Sequence, residues 1–111
     1  MDTFTEQDAF EHGREFERAR SGLSFLAQKL GDSDAHYIPS EWTYLSARAT
    51  LDKARRLTER YFPHGCAQME ATLELGTRLI NDLRERIGPE NISEYDARYA
   101  ELAKMRETPS P

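Results

Sequence analysis

Cys66, Met69, Leu73, Gly76, Ile80, Leu83 and Ile87 recur at spacings that alternate between three and four without a break. Ala9, His12, Phe16, Ala19, Leu23, Leu26 and Leu30 do the same. Positions spaced in this way share one face of an α-helix and cannot share one face of a strand, where the period is two. Three heptads suit the packing of an antiparallel bundle or a short coiled coil. Valine is absent and isoleucine scarce, whereas Leu, Ala, Glu and Arg are plentiful, so the residues that favour strands are missing and those that keep rotamer freedom in helices abound. The chain is expected to be all-α: a small bundle of three long helices and a short C-terminal helix, one domain over residues 1–107 with a disordered tail at 108–111.

Local signals set the expected boundaries. The first helix runs from about Thr5 to Leu30, with Thr3 or Thr5 as N-cap and Gly31 as the stop. Residues 32–39 read as a loop, because Pro39 disfavours helix at Ile38 and Ser40 is a good N-cap for a second helix. That helix spans about Glu41 to Tyr61 and carries two apolar sides: Trp42, Leu45 and Ala49 on one, Ala47, Ala54, Leu57 and Tyr61 on the other. The Pro63-His64-Gly65 turn separates it from the third helix, which starts near Cys66 and ends at Gly88-Pro89. The fourth is expected over about Ser93 to Met105, with Ser93 and Asp96 as a capping box and with Tyr95, Tyr99 and Leu102 as its apolar residues.

Charge and chemistry narrow the function. Twenty acidic against fifteen basic residues give a net charge of −5, which opposes a broad phosphate-binding surface. No apolar run is long enough to cross a bilayer and the acidic N-terminus does not resemble a signal peptide, so a cytoplasmic location is expected. One cysteine precludes an intrachain disulfide and a multi-cysteine zinc site. His64-Gly65-Cys66 lacks the ligand spacing of a metal knuckle, and no phosphate loop or nucleophile constellation is evident; neither cofactor nor enzymatic activity is expected. His12 lies on a helical stripe, as in histidine phosphotransfer bundles, but those bundles place a lysine and a glycine just after the histidine, and Gly13-Arg14-Glu15-Phe16 departs from that pattern. Arg48, Lys53, Arg55, Arg56 and Arg60 make the second helix locally basic, and a helical DNA-binding or nucleoid-associated protein using that face is the alternative reading.

The leading reading is a protein-interaction module. Tyr37, Ile38, Trp42, Tyr44 and Leu45, with Arg48 at the rim, concentrate aromatic area where one face of the second helix is left over, and Trp, Tyr and Arg are the residues enriched at interface hot spots. The stripes from Phe16 to Leu30 and from Met69 to Ile87 exceed what a monomer of this size would be expected to cover, so a homodimer through the first or third helix is expected. Cys66, Met69, Leu73, Gly76, Ile80 and Leu83 are the candidates on the third helix, and Cys66 could form a bridge between copies under mild oxidation. In these stripes, its size and its acidity, the chain resembles the small bacterial antiactivators that sequester LuxR-type quorum-sensing regulators. The resemblance implies a transcriptional regulator as partner, with its dimerisation or its DNA contact blocked.

Overall fold

The structure, a computed structural model, describes residues 6–107. Four helices succeed one another along the chain, α1 (Glu6–Asp32), α2 (Glu41–Tyr61), α3 (Ala67–Ile87) and α4 (Pro89–Glu107), with no strand among the described residues. The Thr3 or Thr5 cap and the 108–111 tail lie outside them. The all-helical expectation holds, and α2 has the expected bounds. Ser40 has extended backbone, and its Oγ accepts a hydrogen bond from the Thr43 N–H at 3.2 Å, satisfying a donor that the first turn leaves without a partner.

The fourth helix starts earlier than Ser93. Gly88 adopts φ 93°, a conformation that costs other residues a steric clash. Pro89 then occupies the first helical position, where its missing N–H is not needed. Proline therefore opens α4 as well as closing α3, and Ser93 and Asp96 lie inside the helix rather than capping it.

The core runs along the line where α1, α2 and α3 meet. Leu23 and Leu30 of α1, Tyr44, Ala47 and Leu51 of α2, and Leu79, Leu83 and Ile87 of α3 form its larger part, joined by Ile92 of α4. Phe16 and Ala19 pack on Ala54 and Leu57 in a second cluster, against which Tyr61 and Met69 lie. The His12 ring stacks on Tyr61 with centroids 3.5 Å apart.

The α3 stripe is largely consumed within the chain, which corrects the assignment of Gly76 and Leu83 to a dimer interface. Its buried line is Thr72, Gly76, Leu79, Leu83 and Ile87, while Leu73 and Ile80 pack against the larger cluster. A methyl group on Gly76 would stand 2.6 Å from Leu51 Cδ1 and 3.2 Å from Leu23 Cδ1, so this glycine lets three helices approach one another. Both α1 and α2 pack on α3. Two neighbours rather than one therefore cover the heptad face. Of the expected α3 interface residues only Cys66, the residue preceding the helix, is fully exposed.

Candidate interaction surface

Helix α2 is two-faced, as the sequence indicates. Ala47, Leu51, Ala54 and Leu57 enter the core. The Trp42, Leu45 and Ala49 side lines a groove of about 570 Å³ whose opposite wall is Tyr99, Leu102 and Met105 of α4. Trp42 does not plug the end of the bundle; it is 72% exposed. Its other flank lines a second groove, of about 620 Å³, whose walls include Phe25 and Leu26 of α1, Tyr37 and Pro39 of the loop, and Ser46 and Thr50. Tyr37 on this groove and Leu102 and Met105 on the first are exposed with it, so one aromatic ridge stands between two apolar grooves; Ile38 is exposed too but lines neither groove.

Tyr44 does not belong to this surface. It is completely buried, because at one turn's spacing from Ala47 and Leu51 it falls on the core side of α2. Its hydroxyl donates to Asp96 Oδ1 of α4 and accepts from Arg84 Nη1 of α3 at 2.8 Å. Asp96 also receives Arg84 Nη1 at 2.8 Å and Arg48 Nη1 at 2.9 Å. Arg48 is therefore held inside a network between α2, α3 and α4 rather than free at a rim, and its guanidinium lies 4.2 Å from the centre of the Tyr99 ring. The Tyr99 hydroxyl donates to Asp52, and Arg98 pairs with Glu41 and Glu94. Burial pushes the Asp96 carboxyl up, but hydrogen bonds from Tyr44 and Arg84 and the charges of Arg84 and Arg48 outweigh it and hold the group below the ordinary carboxylate value. Burial and the bond to Asp96 push the Tyr44 phenol up.

The loop that carries Tyr37 and Ile38 is tied down. Arg86 of α3 donates to Ser33 Oγ at 3.1 Å and to the Asp34 carbonyl at 3.0 Å. The Asp34 side chain accepts from the His36 N–H at 2.8 Å, a turn that fixes the backbone next to Tyr37.

Several of these residues were not singled out from the sequence. Leu102 was read only as an apolar residue of the fourth helix and Met105 only as its approximate end, although, three apart, they form a second apolar pair. Phe25 lies off the α1 stripe, and an aromatic residue off a stripe is a signal of exposed apolar area. Asp96, Arg84 and Arg86 carry no such signal, since charged residues abound in every helix of the chain. The basic face of α2 is partly spent: besides Arg48, Arg55 lies 3.3 Å from Thr77 Oγ1 and pairs with Asp52. A further groove, of about 730 Å³, runs beside Phe10, Phe16, Phe62, Cys66 and Met69.

Among the described residues, no helix is long and apolar enough to cross a membrane, and no group of three His, Cys, Asp or Glu side chains is placed to hold a metal ion. Fold and surface together define a four-helix bundle with an aromatic ridge set between two open apolar grooves. No family model, curated protein or solved structure matches the chain.

Proposed function

We propose that this protein is an interaction module that binds a second protein and modulates it, with Trp42 as the anchor of the contact. The observation that carries the reading is the exposure of Trp42 together with Tyr37, Ile38, Leu102 and Met105 on elements that are otherwise well packed. Trp42 shares one groove with Tyr37 and the other with Leu102 and Met105; monomeric proteins rarely leave large apolar side chains exposed side by side, and aromatic anchors of this kind dominate binding energy. The partner we assign is a bacterial transcriptional regulator, in keeping with the antiactivator resemblance. An acidic module is repelled by DNA, so an apolar protein surface rather than a phosphate backbone is the contact it favours. Occupying such a regulator blocks its dimerisation or its DNA contact.

The test compares the wild-type chain with Trp42→Ala and Trp42→Ala/Met105→Ala. Both side chains are largely exposed, so helix content should stay unchanged. Capture of a regulator should weaken by about thirtyfold or more, which corresponds to about 2 kcal/mol. Release of that regulator from its DNA site by the wild-type chain, and not by the double variant, completes the test. Undiminished capture by the double variant would remove Trp42 from the contact. Direct DNA binding that falls steeply with salt would favour the basic-face alternative instead.

A further inference from the structure

The groove beside Phe62 and Cys66 lies far from the ridge around Trp42. Phe62 follows the end of α2, twenty residues beyond Trp42 and about 30 Å away along the helix. The groove, of about 730 Å³, follows α1 from Phe10 to Ser21 and is walled on its other side by Phe62, Cys66, Gln68 and Met69. Phe16 is buried in its floor, Phe62 and Met69 are half-buried, and Phe10 is exposed. Gly13 leaves room within it: a Cβ there would meet nothing within 4 Å beyond its own stretch of helix.

The charges on this groove do not balance. Arg14, Glu17 and Arg18 line it. Glu17 Oε2 accepts from Arg20 Nε at 3.0 Å and from Arg20 Nη2 at 2.8 Å, so its charge is answered within α1. Arg14 and Arg18 pair with no carboxylate among the described residues, and the Arg14 guanidinium lies 5.8 Å from the centre of the Phe10 ring. Like charges one turn apart on a helix repel, and an anion held between them removes the repulsion. Dimensions narrow the rest of the occupant. From Phe10 to Ser21 the helix rises about 16 Å, over which about 730 Å³ is a cross-section of about 45 Å². A helix about 10 Å across occupies about 80 Å². The groove is too narrow to seat one, whereas a polymethylene chain fits along it.

We infer that this groove binds a single-chain amphiphile with an anionic head, of the class of a free fatty-acid carboxylate, its head between Arg14 and Arg18 and its chain over Phe16, Phe62 and Met69. A guanidinium takes a carboxylate through two parallel N–H bonds, and each methylene removed from water on the apolar floor adds to the contact. An amphiphile of the same length with a cationic head keeps the apolar contact but meets repulsion at the two arginines. Cys66, exposed on the wall of the groove, takes no part in holding the ligand; its thiol reports whether the groove is filled. The inference is independent of the regulator reading, which rests on the opposite end of α2.

The experiment uses the full chain with dodecanoate as the probe, read by titration calorimetry and by the rate at which iodoacetamide alkylates Cys66, the single cysteine. Dodecanoate should bind with a dissociation constant on the order of 100 μM and slow the alkylation several-fold, in step with occupancy. Butyrate and dodecyltrimethylammonium should do neither. Arg14→Gln/Arg18→Gln should bind dodecanoate about tenfold more weakly with helix content unchanged, since both side chains are exposed. Gly13→Leu, whose side chain enters open space, should fold at least as firmly as the wild-type chain and lose the binding. Failure of about 1 mM dodecanoate to protect Cys66, equal protection by dodecyltrimethylammonium, or undiminished binding by Gly13→Leu overturns the assignment. Protection of Cys66 that grows with protein concentration in the absence of dodecanoate overturns it as well and gives the groove to a second copy.

Discussion

At the residue scale, two side-chain environments make sharp demands. Gly76 occupies the point where α3 touches Leu51 of α2 and Leu23 of α1. Gly76→Leu must displace both, and overpacking of this kind costs about 1 to 3 kcal/mol or more. A clear fall in the denaturant midpoint is expected, whereas an unchanged midpoint would show that the helices part without strain. Asp96 makes the second demand. Its folded carboxyl lies below the unfolded value of about 3.9, so its contribution to stability is present above that value and is lost as the pH falls through the lower, folded one. Tyr44, shifted upward, works in the opposite sense: its contribution is present below about 10 and fades as the pH rises through its folded value. Asp96→Asn should destabilise the wild-type chain at neutral pH by about 1 to 3 kcal/mol and flatten the acid limb of stability against pH, read from urea midpoints between about pH 6 and 2.

At the scale of elements, the helices differ in how firmly they are held. α4 sinks Ile92 and Tyr99 into the bundle and depends otherwise on polar links: Asp96 to Arg48 and Arg84, Arg98 to Glu41 and Tyr99 to Asp52. Ion pairs of this exposure contribute little each. Its amides should exchange with solvent faster than those of α2, whose Tyr44, Ala47, Leu51, Ala54 and Leu57 are all buried. Equal protection in both helices would show that α4 opens only with the whole bundle. The contrast also marks what the sequence could disclose. Helix existence, the Ser40 cap and the two faces of α2 were legible because they rest on periodicity and local backbone chemistry. The start of α4 was missed because Gly88-Pro89 ends one helix and begins the next with the same two residues. The place of Tyr44 was misread although its spacing from Ala47 and Leu51 puts it on the core side; what no local signal discloses is the polar partner a buried tyrosine needs, Asp96, 52 residues away.

For the whole molecule, the bundle assigns its apolar area to three destinations: the core, the outer face of α1 and the ridge around Trp42. The sequence stripes identify the first almost completely, and the leftover face of α2 points to the third; the second emerges only when the packing shows that Phe10 and Phe25 remain outside. Binding at the ridge is expected to change little between about 50 and 300 mM salt, because it rests on aromatic and aliphatic contact, while a phosphate-contacting protein loses affinity by orders of magnitude over such a range. Titration of a captured regulator at the two salt concentrations checks this. Trp42 has a spectroscopic consequence as well. It is the single tryptophan of the chain and stands in water, so the fluorescence of the indole is decoupled from the core and sensitive to whatever settles on the ridge. Emission should be red and readily quenched by iodide in the free protein, and should turn blue and resist quenching when a partner covers the ring, so the molecule carries its own label at the place where contact is proposed.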